Sequence, residues 1–165
     1  MSDAAVTKRQ APERQSALIA LELNRLNIDI TCLSECRIPG EGEFIEGDYT
    51  FLYPGRSPEQ TKLEGVAIAI KNSIRPIVID WKGTSSWVVS MRIKLDKFTA
   101  IVIGVYAPTF KKPPEEKALF YDQLSEVLSA VPRSDRIFLL GTSTPVSALT
   151  SKPSQTLLVA TVLVT

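Results

Sequence analysis

The sequence places chemically capable residues at the ends of apolar, strand-like segments, where the sites of proteins are usually built. Glu35 closes one such segment and is followed by Arg37, Tyr106 closes a second, and a third runs into Gly141. Each residue taken alone also has a plain structural interpretation. A glutamate after a strand is usually solvated, and a tyrosine before Ala-Pro usually packs against its neighbours.

Composition excludes several kinds of chemistry. The chain contains no histidine, which rules out a histidine base, a Ser-His-Asp triad and histidine metal ligands. Cys32 and Cys36 are too few for a disulfide framework, and their spacing without a second pair is a weak signal for zinc.

The charge pattern gives no global signal for nucleic acid or a membrane. Nineteen basic and 18 acidic residues leave a net charge of +1, and the one local basic feature is Lys111–Lys112. Residues 1–15 contain no apolar core of a signal peptide, and the apolar runs are too short to span a bilayer. We therefore expect a soluble, intracellular protein without membrane contact, and the sequence predicts no protein partner.

The elements that must position these residues begin with a helix. Residues 1–11 are predicted to be a disordered segment that precedes the first helix. Pro12 then begins a helix that runs to Asn27, with an apolar stripe of Ile19, Leu23 and Leu26. Strands are predicted over Ile28–Ser34, Tyr49–Tyr53, Gly65–Lys71 and Pro76–Trp81, and loops over Pro39–Asp48 and Pro54–Lys62.

The next part of the chain contains a hairpin and the clearest helix. Trp87–Leu95 alternates, which predicts a half-exposed strand with Trp87, Val89, Met91, Ile93 and Leu95 on one face. A turn at Asp96–Lys97 joins it to a strand over Phe98–Tyr106. A helix then opens at Pro113 and Pro114 with Glu115 and Glu116 and ends at Pro132, with an apolar stripe of Phe120, Leu124, Val127, Leu128 and Val131.

A strand over Arg136–Leu140 follows, and the composition then changes. Residues 142–165 contain no Asp or Glu and one Lys, and the run from Thr156 to Thr165 is uncharged and β-prone. Such a run is an aggregation liability if it is left unpaired. The order of the preceding elements predicts an α/β sandwich with more sheet than helix.

In this order and spacing, the segments resemble the endonuclease/exonuclease/phosphatase superfamily. The likeness is greatest to the endonuclease domains of non-LTR retrotransposons and to the craniofacial-development-protein-2-like sequences related to them. It covers about residues 13–141. The residues on which it rests are Ala17 to Ala20, Asn27 to Ile30, Leu33 to Arg37, Pro39 to Glu41, Gly65 to Ile70, Tyr106 to Thr109, Phe120, Tyr121 and Leu139 to Gly141.

The resemblance implies a DNase I-like α/β (α+β) sandwich of two packed β-sheets flanked by helices, with its site at one end. It implies hydrolysis of phosphate esters with Mg²⁺ or Mn²⁺, a DNA substrate, and a location compatible with the nucleus. Glu35 would be the metal-ligating carboxylate, since magnesium favours hard oxygen ligands. Tyr106 would contact the phosphate region, and Arg37 would support the metal ligand from beside it.

The chain also departs from the family pattern. The family begins with a strand ending in a catalytic Asn, for which residues 1–10 offer no counterpart. After the Leu-Leu-Gly strand the family has Asp-Phe-Asn, which handles water and phosphate, whereas Thr142, Ser143 and Thr144 follow here. The family's later Asp and His are absent as well. We therefore expect an incomplete domain over 12–141, lacking the first strand and the C-terminal half.

The loss of one nucleotide would explain the break. The relatives continue Asp-Phe-Asn-Ala-Arg-Val-Gly, for which one coding is GAC TTC AAC GCC CGT GTC GGC. Without its first base this becomes ACT TCA ACG CCC GTG TCG GC, which encodes the residues found from Thr142 to Ala148. The hypothesis is that residues 142–165 form a frameshifted tail outside the family.

Three functional interpretations remain open from the sequence. The first is a retroelement-derived, catalytically inactive piece of a Mg²⁺-dependent phosphodiesterase. The second is an active endonuclease whose true product is longer than this sequence. The third is a non-catalytic binding module on the same scaffold, for which no exposed apolar helix or basic strip stands out. The first interpretation also predicts a marginal product with open sheet edges.

Overall fold

A computed structural model describes residues 15–34, 40–54, 65–108, 111–142 and 157–160. The first of two sheets in these residues is antiparallel throughout, with strand order β1-β4-β3-β2. Its strands are β1 (Ile30–Ser34), β2 (Gly42–Glu46), β3 (Tyr49–Tyr53) and β4 (Val66–Lys71). β4 is buried on both faces through Ile70, as its apolar sequence predicts for a central, covered strand.

The second sheet is mixed and has the strand order β5-β6-β7-β8-β9. β5, β6 and β7 pair antiparallel, and β7, β8 and β9 pair parallel. The strands are β5 (Val78–Ser85), β6 (Val88–Lys94), β7 (Thr99–Tyr106), β8 (Arg136–Thr142) and β9 (Leu157–Ala160). A 3-10 helix over Asn72–Ile77 links the two sheets.

The two sheets pack face to face around the main core. Cys32, Ile68 and Leu52 of the first sheet meet Met91 and Val102 of the second. Gly104 allows a close approach, because a Cβ on it would lie 3.1 Å from Cys32 Sγ and 3.3 Å from Ile68 Cγ1. The absent side chain therefore lets the sheets meet at the density of a normal interior.

A helix covers the outer face of each sheet. α1, residues 15–25, places Ala20 and Leu23 on the outer face of the first sheet against Tyr49 and Phe51. α2 (Pro114–Ala130) places Phe120 and Leu124 on the second sheet, with Val127, Leu128 and Val131 in the same cluster. The predicted sandwich of two packed sheets flanked by helices is thus confirmed, and so are the first turn of α2 and its apolar stripe.

β2 corrects the prediction of a loop over Pro39–Asp48. Its five residues pair with β3, and Phe44 stacks on its cross-strand partner Phe51 with ring centroids 4.9 Å apart. A two-residue turn joins the strands, and Gly47 adopts a φ of 57° there. Glycine and glutamate gave this segment the composition of a loop, but aromatic pairing makes it a strand.

The predicted strand Pro76–Trp81 is shifted along the chain. Pro76 lies inside the 3-10 helix, and the strand begins at Val78 and continues to Ser85. A proline has no N–H to donate to a ladder, so it fits the turn better than the strand.

The strand after Trp87 is half-exposed, as predicted, only toward its end, where Arg92 is partly exposed and Lys94 is exposed. Val88 and Ser90, on the face expected to be solvated, are 0% and 9% exposed. The outer face of the second sheet, to which Val88 belongs, is covered by α2. Trp87 packs in this outer cluster rather than with Val89 and Met91.

The first helix is shorter at its C-terminus than predicted. It ends at residue 25, and Asn27 has a φ of 53°, so Leu26 is exposed instead of continuing the stripe. Leu18 and Leu21 are 65% and 68% exposed on α1. The expectation that no exposed apolar helix is present is therefore wrong for this helix.

The C-terminal segment contributes a strand. We expected open sheet edges in general, and β9, which pairs in parallel with β8, covers this side of β8. No helix in the described part of the chain is long and apolar enough to cross a membrane.

Candidate functional site

Two of the predicted strand ends meet in the second sheet. β7 and β8 run parallel, and Tyr106 is the register partner of Thr142, the residue after Gly141. The carboxyl ends of parallel strands lie at the same edge of a sheet. The sheet therefore brings together Tyr106 and the point at which the sequence departs from the family pattern.

Contacts between the sheets bring the first sheet to the same end. Cys32 Sγ lies against Gly104, and each of these residues precedes the last residue of its strand by two positions. Pro54 comes directly after β3 and lies against Gly83 of β5. Gly83 pairs with Val89 of β6, which in turn pairs with Gly104 near the end of β7. β1, β3, β7 and β8 thus finish at one end of the sandwich, with Ser34, Tyr53, Tyr106 and Thr142. We call this end the carboxyl edge.

Glu35 and Arg37 lie outside the described residues. Glu35 follows Ser34, so the strand that leads to it finishes at the carboxyl edge. The structure therefore supports the predicted placement of this strand end, while the roles of Glu35 and Arg37 stay predictions.

Tyr106 is half-buried and contacts both layers of the core. Its ring packs against the cluster between the sheets and against the cluster beneath α2. Its backbone N–H donates to the carbonyl oxygen of Trp87 over 2.8 Å, and the N–H of Trp87 donates to Ser85 Oγ over 3.2 Å. The turn between β5 and β6 thus fixes the backbone of Tyr106, whose role toward phosphate remains a prediction.

Sequence reasoning missed two hydroxyl groups at this end. Ser86 is 3% exposed, and the oxygens of Thr84 and Ser86 accept or donate no hydrogen bond among the described residues. Register places them at the carboxyl edge, because Ser85 pairs with Val88 and Val88 with Val105. Burying a hydroxyl without a partner costs free energy. No sequence signal distinguishes these residues from other serines and threonines.

The described residues of the carboxyl edge offer few ligands for a divalent cation. Glu41 brings one carboxylate, whose Oε1 lies 3.3 Å from the position of a Cβ on Gly83. No group of three or more His, Cys, Asp or Glu side chains occurs in the described ranges. At position 142 the sequence has a threonine, whereas the family pattern has an aspartate. With Glu35 the edge would offer two carboxylates, and magnesium is commonly held by one or two carboxylates together with water and substrate phosphate.

Tyr49 and Arg92, which lie away from this edge, have raised pKa values. Burial raises the pKa of Tyr49, and the charges of Asp29 and Asp48 raise it further. A hydrogen bond to Asp135 raises the pKa of Arg92, and Arg92 Nε lies 2.8 Å from Asp135 Oδ2. Both groups belong to structural contacts.

Comparisons with known proteins agree with the architecture. No family model matches the chain. Craniofacial development protein 2 of Bos taurus is 31% identical over 124 residues, which is 75% of this chain, and that of Tragulus javanicus is 29% identical over the same length. The chain spans about a fifth (21%) of the length of these relatives.

A solved structure shows the same fold. A humanized D. rerio TDP2 with 14 mutations matches 92% of this chain and 69% of its own chain, with a TM-score of 0.58 and 10% sequence identity. The likeness confirms the predicted DNase I-like arrangement of two sheets, and at this identity it concerns the fold alone.

Proposed function

Because the chain belongs to the endonuclease/exonuclease/phosphatase superfamily, we propose that it is a retroelement-derived, non-catalytic piece of a Mg²⁺-dependent phosphodiesterase. It has the scaffold and one side of the site, with Glu35, Arg37 and Tyr106. The other side, which handles water and the phosphate of a DNA substrate, is replaced from Thr142 onward.

The single observation that supports this proposal is the register of Thr142 with Tyr106. This position is the one where the superfamily pattern has the aspartate that activates or orients water. A threonine hydroxyl is not a base at neutral pH, and it is a weaker ligand for Mg²⁺ than a carboxylate. General-base and orientation contributions are each commonly worth about 100-fold or more in rate.

The residues that remain would perform only binding steps. Glu35 would offer a carboxylate to Mg²⁺, which when bound polarises a phosphate oxygen. Tyr106 would contact the phosphate region, and Arg37 would orient or neutralise the carboxylate beside it. None of these groups positions an attacking water, so no hydrolytic step follows from them.

A magnesium-dependent plasmid-nicking assay on this chain tests the proposal. We expect no nicking above the buffer rate in Mg²⁺ or Mn²⁺, and the same result for Glu35→Ala. Circular dichroism on both proteins would confirm that they are folded. Nicking by this chain that disappears in Glu35→Ala would overturn the proposal.

The match between Thr142 to Ala148 and a frame shifted by one base favours a second candidate, an active endonuclease read in the restored frame. One inserted base before the codon of Thr142 would restore Asp-Phe-Asn. Sequencing the transcript and the genomic DNA around Gly141 decides between the two. If the added base fails to open a frame that contains Asp-Phe-Asn and a later His, the frameshift hypothesis is wrong.

A further inference from the structure

β9 is the last strand of the five-stranded sheet. It pairs with β8 on one side, and no described strand pairs with it on the other. Such an edge presents a row of backbone N–H and C=O groups that can accept another strand. We propose that this edge is an interface at which two copies of the chain pair, joining their five-stranded sheets into one continuous sheet.

The other edge of the same sheet shows what a protected edge looks like in this protein. β5 contains Asp80 and Lys82, and its pairing with β6 shifts register between Val78 and Asp80 and again between Gly83 and Ser85. Charges and bulges are the usual means by which proteins block pairing at an edge.

β2, at one edge of the first sheet, is protected by charge as well. It contains Glu43 and Glu46, and Arg75 pairs with Glu43 over 2.9 Å. β9 differs from both strands. Its four residues are Leu, Leu, Val and Ala, and the run from Thr156 to Thr165 contains no charged residue. β1, the other edge strand of the first sheet, also contains no charged residue, so β9 is one of two uncharged edge strands and the one that belongs to the second sheet.

A second copy is the partner that this edge fits. Pairing around a two-fold axis places a strand against itself in antiparallel orientation, so any charge on it would face a like charge. β9 has none, whereas β2 and β5 would each bring carboxylates together. A two-fold pair also uses both free edges at once, so it closes as a dimer and does not grow into a fibre.

Sedimentation velocity of the full chain over a range of concentrations tests the interface. We expect a reversible monomer–dimer equilibrium in which Val159→Lys weakens association at least tenfold. Ile45→Lys is the matched control, since it adds the same charge to β2, where Ile45 is 71% exposed. This control should leave the equilibrium unchanged, and far-UV circular dichroism should show that both variants are folded.

A charge exchange keeps the test independent of folding defects. Val159→Glu should be monomeric alone, as should Val159→Lys. An equimolar mixture of the two should recover heterodimers, because opposite charges then lie across the interface. A wild-type chain that is monomeric throughout, fibres that bind thioflavin T in place of dimers, or a mixture that stays monomeric would each overturn the proposal.

Discussion

At the end of the sandwich opposite the carboxyl edge, polar side chains are tied to one another. The Tyr49 hydroxyl donates to the carbonyl oxygen of Ile28 over 2.6 Å, and the Thr50 hydroxyl donates to Asn72 Oδ1 over 2.7 Å. Asn72 Nδ2 in turn donates to the carbonyl oxygen of Gly47 over 3.2 Å. These bonds connect the end of α1, the turn between β2 and β3, and the end of β4.

At the carboxyl edge, the oxygens of Thr84 and Ser86 are buried without such partners among the described residues. Buried polar groups in folded proteins are nearly always hydrogen-bonded, so an exception marks a place that is not optimised for stability. Side-chain hydrogen bonding thus stabilises the end of the sandwich opposite the carboxyl edge. At the carboxyl edge, where the superfamily builds its site, the hydroxyls of Thr84 and Ser86 lack it among the described residues.

The largest effect on this contrast should come from Asn72→Ala. The substitution removes two side-chain hydrogen bonds and leaves the hydroxyl of Thr50, which is 4% exposed, without its acceptor. We expect the free energy of unfolding to fall by about 2 kcal/mol, measured by urea denaturation.

Asn72→Asp is the matched control. It keeps an oxygen for the Thr50 hydroxyl and loses only the donor to Gly47, so its loss should be the smaller one. Equal losses in the two variants would show that the bond to Thr50 contributes nothing.

Tyr49→Phe should have the next largest effect. Tyr49 is fully buried, and the substitution removes the hydroxyl that donates to the Ile28 carbonyl oxygen. A loss of about 1 kcal/mol in the free energy of unfolding is expected near neutral pH.

The same variant has a pH signature. The folded state raises the pKa of Tyr49, so above the ordinary pKa near 10 the unfolded state loses this proton first. Wild-type stability should therefore be unaffected by this group at lower pH and should decline as pH rises past 10. The decline should be shallower in Tyr49→Phe, and identical slopes in the two proteins would contradict the assigned role.

Two elements show which parts of the fold the sequence predicts well. α2 was placed closely because Pro114 and the acidic first turn mark its start, its stripe is regular, and Pro132 stops it. The hairpin of β6 and β7 was predicted with its turn, where the N–H of Leu95 donates to the carbonyl oxygen of Phe98. These are local signals, and they require no knowledge of distant partners.

The rest depends on pairing and packing that composition and periodicity do not show. β2 becomes a strand through Phe51 and the face it shares with β3, and Leu26 loses its place in the stripe because the helix ends early. At the site, the sequence predicts that a strand ends at Tyr106, and β7 does end there. The burial of Ser86 was not predictable, because it arises only when the turn between β5 and β6 packs beside β7.

Ser86→Ala should give the smallest effect and the opposite sign. It removes a buried hydroxyl that has no hydrogen-bond partner among the described residues, so the unfolding free energy should stay within about 0.5 kcal/mol of wild type or rise. Ser90→Ala is the matched control, because Ser90 Oγ donates to the Lys82 carbonyl oxygen over 3.4 Å between the same two strands. That variant should lose a few tenths of a kcal/mol. A clear loss in Ser86→Ala, measured in the same urea titration, would mean that this hydroxyl is satisfied in solution and that the two ends are supported alike.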